Sequence, residues 1–111
     1  MSGIGTIKVP GGQSSFSLNV QNRSGKPSGS FAYADTPAHI SLSNIMLKTL
    51  TITGNKAHLT GMATDGRNRP VTFTVDATDN GDPGVRDTFA IKLSNGYMAS
   101  GNLTSGNLHI P

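Results

Sequence analysis

The sequence predicts an all-β fold, an antiparallel β-sandwich or small β-barrel of about eight to ten short strands with no significant helix. Three observations predict it. Apolar and polar residues alternate with period two along most of the 111 residues, the signature of half-buried strands. Turn signals punctuate that alternation about every ten to twelve residues. Composition agrees: the chain has 14 Gly, abundant Ser, Thr and Asn, and only 14% charged residues. So few charges argue against disorder, and so few helix formers argue for strands and turns.

Each element can be justified in order. Residues 5–9 (GTIKV) alternate and stop at Pro10-Gly11-Gly12. Phe16, Leu18 and Val20 form the inner face of the next strand. Residues 21–28 are polar, contain Gly25 and Pro27, and read as a loop. Phe31 and Tyr33 resume the alternation, Asp35-Thr36-Pro37 turns it, and Ile40 and Leu42 continue it. Residues 45–53 (IMLKTLTIT) begin ambiguously, but their Thr-rich, β-branched second half favours a strand.

Gly54-Asn55 is a two-residue hairpin signal. It sets Ile52 opposite Ala57 and Leu50 opposite Leu59, keeping both apolar sets on one face. Asp65-Gly66-Arg67-Asn68 makes the next turn, and Val71, Phe73, Val75 and Ala77 line the strand after it. Phe89, Ile91 and Leu93 follow the loop DNGDPGVRD, and Asn95-Gly96 starts another hairpin. A strict two-residue loop there would turn Met98 inward. A bulge at Gly96 restores Tyr97, Ala99, Gly101 and Leu103 to the inner face. Thr104-Ser105-Gly106 reads as a turn into a final short strand, Leu108-His109-Ile110.

The length fits one β-domain over residues 1–111, with no interdomain linker and no repeat. The net charge of +3 comes from nine Lys and Arg scattered along the chain. Without a basic cluster, nucleic-acid binding is not expected. The absence of Cys excludes disulfides, thiol catalysis and Cys-based zinc sites. No stretch approaches the ~18 apolar residues of a membrane-spanning helix. The opening MSGIGTIKVP lacks the basic and apolar regions of a signal peptide. The expectation is therefore a cytoplasmic protein or a fragment of a longer exported one.

Catalytic patterns are equally sparse. There is no nucleophile elbow, no phosphate loop and no close pair of histidines among His39, His58 and His109. Enzyme activity is not expected. Carbohydrate binding lacks its usual Trp platform, since Phe16, Phe31, Phe73 and Phe89 fall on inner faces and only Tyr33 and Tyr97 remain. A Lys–Asn crosslink would need a buried lysine, with Lys8 and Lys48 as candidates. Terminal strands at residues 4–9 and 107–110 also suit pairing with each other or with a second copy.

The loop at residues 79–87 concentrates what polar chemistry there is. Three of the six acidic residues, Asp79, Asp82 and Asp87, lie within it, and Asp76 precedes it. Calcium takes about six to eight oxygen ligands. Asp79, Asn80, Asp82 and Asp87, with Asp76 as an additional ligand, are the candidate metal set. The spacing is not that of an EF-hand. The competing reading is a rigid turn, in which Asp and Asn bond their own backbone, Pro83 fixes φ, and Gly81 and Gly84 take positive φ.

Residues 74–84 (TVDATDNGDPG), Asp87-Thr88-Phe89, residues 93–97 (LSNGY), Gly101-Asn102-Leu103 and residues 106–110 (GNLHI) carry a family likeness. Together they resemble an accessory β-domain at the C-terminal ends of bacterial secreted and surface proteins. That domain shows a D-N-G-[DE]-P-G…D-T-F element and a terminal G-N-[IL]-x-I strand. The hairpin at residues 52–61 is similar to one in the same domain. The resemblance covers most of residues 5–110. Asp82 stands where Glu is common, and Ser105-Gly106 where two glycines are usual. The likeness implies a secreted or cell-surface module beside catalytic or adhesive domains. It implies no activity of its own.

Overall fold

The computed structural model describes residues 1–81 and 86–110. Nine strands form among these described residues: β1 (Ser2–Val9), β2 (Gly12–Arg23), β3 (Lys26–Asp35), β4 (Ile40–Ser41), β5 (Ser43–Thr53), β6 (Lys56–Thr64), β7 (Pro70–Thr78), β8 (Thr88–Leu93) and β9 (Met98–His109). All pairings are antiparallel, in the order β4-β3-β2-β1-β9-β8-β7-β6-β5. The sheet curls into a nearly closed barrel. Its two ends meet where the Leu42 amide donates to the Tyr33 carbonyl at 3.0 Å and the Asn22 side chain donates to the Leu50 carbonyl at 2.9 Å.

The period-two pattern fills the interior. Phe16, Phe31 and Tyr33 come from one half of the sheet, and Phe73 and Phe89 from the other. They meet in the middle: Phe16 and Phe89 stack at 4.1 Å, Phe31 and Phe73 lie 5.2 Å apart, and Tyr33 stacks on Phe89 at 5.9 Å. Gly61 faces inward opposite Phe73, and a Cβ there would meet that ring at 2.6 Å. The missing side chain is what lets the ring lie across β6.

Several registers match expectation. Ile52 pairs with Ala57 and Leu50 with Leu59, around a Gly54 at φ +62°. The bulge at Gly96 is present. Ile91 pairs with Ala99, Gly96 takes φ +97°, and Leu93 bonds the Tyr97 carbonyl across a three-residue loop.

Three expectations need correction. Residues 21–28 are not a loop, because β2 and β3 stay paired out to Arg23 and Lys26 around Ser24-Gly25. Both turn residues take positive φ, +51° and +79°, as a I′ hairpin turn requires. Polarity misled here, since a ladder projecting past the core needs hydrogen bonds rather than apolar side chains. Residues 104–106 do not end a strand either. β9 runs through them, bending at a register shift opposite Thr6 and Ile7 so that it leaves β8 and joins β1. Gly106 is needed for close approach to β1 rather than for a turn: its φ is +90°, and a Cβ would collide with the Ile4 carbonyl. Lys8 and Lys48 are both exposed, which removes the buried lysine a Lys–Asn crosslink requires.

Candidate functional site

The two halves of β9 have different partners. Residues 98–102 pair with β8, and residues 103–109 pair with β1. Where β9 has left β8, the N–H groups facing away from β1 lack a strand to receive them. Asp79 and Asp87 take that strand's place.

Asp87 is completely buried. Its main-chain oxygen accepts from Leu103 at 3.0 Å, and its Oδ2 accepts the Leu108 amide at 2.9 Å. Asp79, half-buried at the end of β7, accepts the Ile110 amide on its Oδ2 at 2.9 Å. Alternate amides of the last strand thus bond carboxylates instead of carbonyls. Each carboxylate also closes its own loop: Asp87 Oδ1 takes the Asn80 amide at 2.7 Å, and Asp79 Oδ1 takes the Gly81 amide at 3.0 Å. The Asn80 side chain donates to the Arg86 carbonyl at 2.8 Å. Asn55, in the neighbouring hairpin turn, donates to the Asp79 carbonyl and to Asn80 Oδ1.

Of the candidate metal ligands, the structure brings Asp79, Asn80 and Asp87 to one corner. All four oxygens of the two carboxylates are engaged by backbone donors, as a latch requires. Asp76 lies apart on the outer face of β7, where it accepts from His58 Nδ1 at 2.6 Å. Asp82, with Pro83 and Gly84, lies outside the described residues. Among the described residues, no group of three His or Asp could hold a metal ion.

The Ile110 and Gly81 amides hold the Asp79 carboxyl below its ordinary value of 3.8. A carboxyl with a depressed folded pKa contributes stability above the ordinary pKa and loses it as pH falls through the folded one. The wild-type melting temperature is therefore expected to drop as pH is lowered from about 4 toward 2. Asp79→Asn should start less stable at neutral pH and follow a flatter acid limb. Melts recorded across that range check it.

A second polar cluster was not visible in the sequence. Asp35, almost fully buried at the end of β3, accepts the Tyr97 hydroxyl at 2.5 Å, and Tyr33 shares its hydroxyl with Tyr97 at 2.6 Å. Burial, followed by the Asp35 hydrogen bond, pushes the Tyr97 phenol far above its usual range. Burial also raises Tyr33. Both rings remain neutral donors and hold β3 against the β8–β9 hairpin. The pair spans 62 residues, so no local pattern could have disclosed it.

Tyr97 also lines a pocket of about 300 Å³ with His39, Asp65, Arg67, Arg69 and Asn95. A shallower groove of about 400 Å³ lies on the outer face, lined by Lys8, Pro10, Asp76, Lys92, Met98 and Ser100. The phenylalanines and Tyr33 are buried, whereas Tyr97 is half-buried and lines this pocket of about 300 Å³.

No protein-family model matches the chain, and no match was found among curated proteins or solved structures. No helix among the described residues is long and apolar enough to cross a membrane.

Proposed function

We propose that this domain is a non-catalytic accessory module of a larger exported protein, acting as a spacing and stabilising unit beside neighbouring domains at the cell surface. One observation carries this reading. The Asp79 and Asp87 carboxylates are directed at the chain's own backbone, at Ile110 and Leu108, rather than toward a cleft. The likeness to accessory domains of bacterial surface proteins points the same way.

Calcium at this loop is the rival account. A ligand that binds only the folded state adds about 2.7 kcal/mol at a hundredfold excess over Kd. On the latch account, thermal melts in EDTA and in millimolar Ca²⁺ coincide. A rise of several degrees in Ca²⁺ that disappears in Asp79→Asn would make residues 79–87 an ion site instead. Sedimentation at increasing concentration tests the spacing role, which expects one concentration-independent species. Reversible growth in size would favour a self-assembling subunit. A carbohydrate- or surface-binding role is favoured by a single feature, the half-buried Tyr97 that lines the pocket with Arg67 and Arg69.

A further inference from the structure

We infer that the pocket between the β3–β4 turn, the β6–β7 loop and the β8–β9 hairpin is a binding site for an oxyanion group, held by Arg67 and Arg69, which line it together with Tyr97. The inference concerns a different end of the molecule from the latch and stands whether or not the module serves as a spacer.

The backbone of the loop that carries the arginines is tied by four hydrogen bonds. Asp65 Oδ1 accepts the Arg67 amide at 2.8 Å and the Arg69 amide at 3.0 Å. The Asp65 amide donates to the Arg69 carbonyl at 2.9 Å, and the Asn68 amide donates to the Asp65 carbonyl at 3.1 Å. Asn68 sits between the arginines at φ +62°. This left-handed step is tolerated by Asn, and both flanking residues line the pocket. The facing wall is fixed as well. His39 holds φ +58° and donates its amide to the Thr36 carbonyl at 3.0 Å. A Cβ on Gly66 would come within 3.0 Å of the His39 carbonyl, so the two loops are in close contact. Left-handed non-glycine residues are costly and persist where the surroundings over-determine them. Two of the four found in the described chain border this pocket.

The floor is equally constrained. The Tyr97 hydroxyl is committed to Asp35, which leaves its ring as the pocket wall. Asn95 Oδ1 accepts the Tyr97 amide at 3.0 Å, which leaves the Asn95 amide nitrogen as a donor. Among the described residues, the one ion pair is His58 with Asp76. No carboxylate therefore lies in salt-bridge range of Arg67 or Arg69 there.

Asp65 is the counter-charge in the pocket. The Arg69 and Arg67 amides, followed by the charges of the two arginines, hold its carboxyl below 3.8. Two guanidiniums and one carboxylate leave a net +1 there (2 − 1), before any charge on His39. Guanidinium forks match carboxylate and phosphate oxygens in a bidentate manner. Rigid loops reduce the ordering cost of binding. A planar ring beside the two forks suits an oxyanion carried on a flat or cyclic body, either a phosphate ester or the carboxylate of a sugar acid.

The test is an amide-shift titration of the full chain with sodium phosphate and, separately, with sodium glucuronate, each at constant ionic strength against sodium chloride. The expected result is a saturable shift confined to residues 66–69, His39 and residues 95–97 with at least one of the two probes. Saturation by phosphate alone assigns phosphate esters, and saturation by glucuronate alone assigns sugar acids. In the doubly substituted variant Arg67→Gln, Arg69→Gln, affinity should fall at least about tenfold while the melting temperature stays unchanged. A Lys26→Gln, Lys48→Gln control should bind as wild type. Linear shifts with both probes, or saturation equal in the arginine variant and the control, would overturn the assignment.

Discussion

Asp87→Ala is expected to lose about 3–5 kcal/mol of stability and to melt roughly 15–30 °C lower. Asp87 is fully buried and takes two backbone amides, from Asn80 and from Leu108. Truncation leaves both donors without an acceptor, and each such group costs about 1–3 kcal/mol. Ala also leaves a void beside Leu108. Asp87→Asn keeps the shape and one acceptor but sets an amide donor against a second donor, so it should fall between Ala and wild type. Asp76→Ala serves as the control. Its carboxylate is 63% exposed and pairs only with His58, and such surface pairs contribute about 0–1 kcal/mol. Melts of the three variants at neutral pH decide the ranking. An Asp87→Ala protein as stable as Asp76→Ala would remove the latch from the account.

Phe89→Ala should cost about 3–5 kcal/mol, the usual range for truncating a buried phenylalanine. Its ring is fully buried, lies parallel to Phe16 within 2°, and also stacks on Tyr33. It meets two rings of the opposite half of the sheet, so collapse around the void would need both halves to move. Phe89→Leu refills much of the volume and should recover more than half of the loss. The truncation should also change the near-ultraviolet dichroism of Tyr33 and Tyr97, because Tyr33 packs on Phe89 and bonds Tyr97. A melt within a few degrees of wild type would show that the stack is peripheral.

How much could be read from the chain depended on the range of the physics. The Gly54-Asn55 hairpin was legible because a two-residue loop and strict alternation leave one register that keeps Leu50, Ile52, Ala57 and Leu59 together. The Gly96 bulge followed from the same demand on Leu93 and Tyr97. Where glycine and polarity were taken as breaks, the reading failed. Residues 21–28 extend a hairpin because hydrogen bonding tolerates polar side chains on both faces. Gly106 marks a close crossing with β1 rather than a turn. The acidic loop was visible as composition, but its role was not. The partners of Asp79 and Asp87 on β9 lie 31 and 21 residues away, and nothing local orients a carboxylate toward them. The Asp35–Tyr97–Tyr33 cluster and the arginine pocket were missed for the same reason: each gathers residues from separate hairpins.

The most direct test of the latch is amide hydrogen exchange at Leu108 and Ile110 in protein stripped of metal with EDTA. These two N–H groups bond carboxylates and no strand. The account predicts slow exchange at both without any ion, and loss of Leu108 protection in Asp87→Ala at temperatures where the fold persists. Rapid exchange at both in EDTA, with protection appearing only when Ca²⁺ is added, would contradict it and make the loop an ion-dependent clasp.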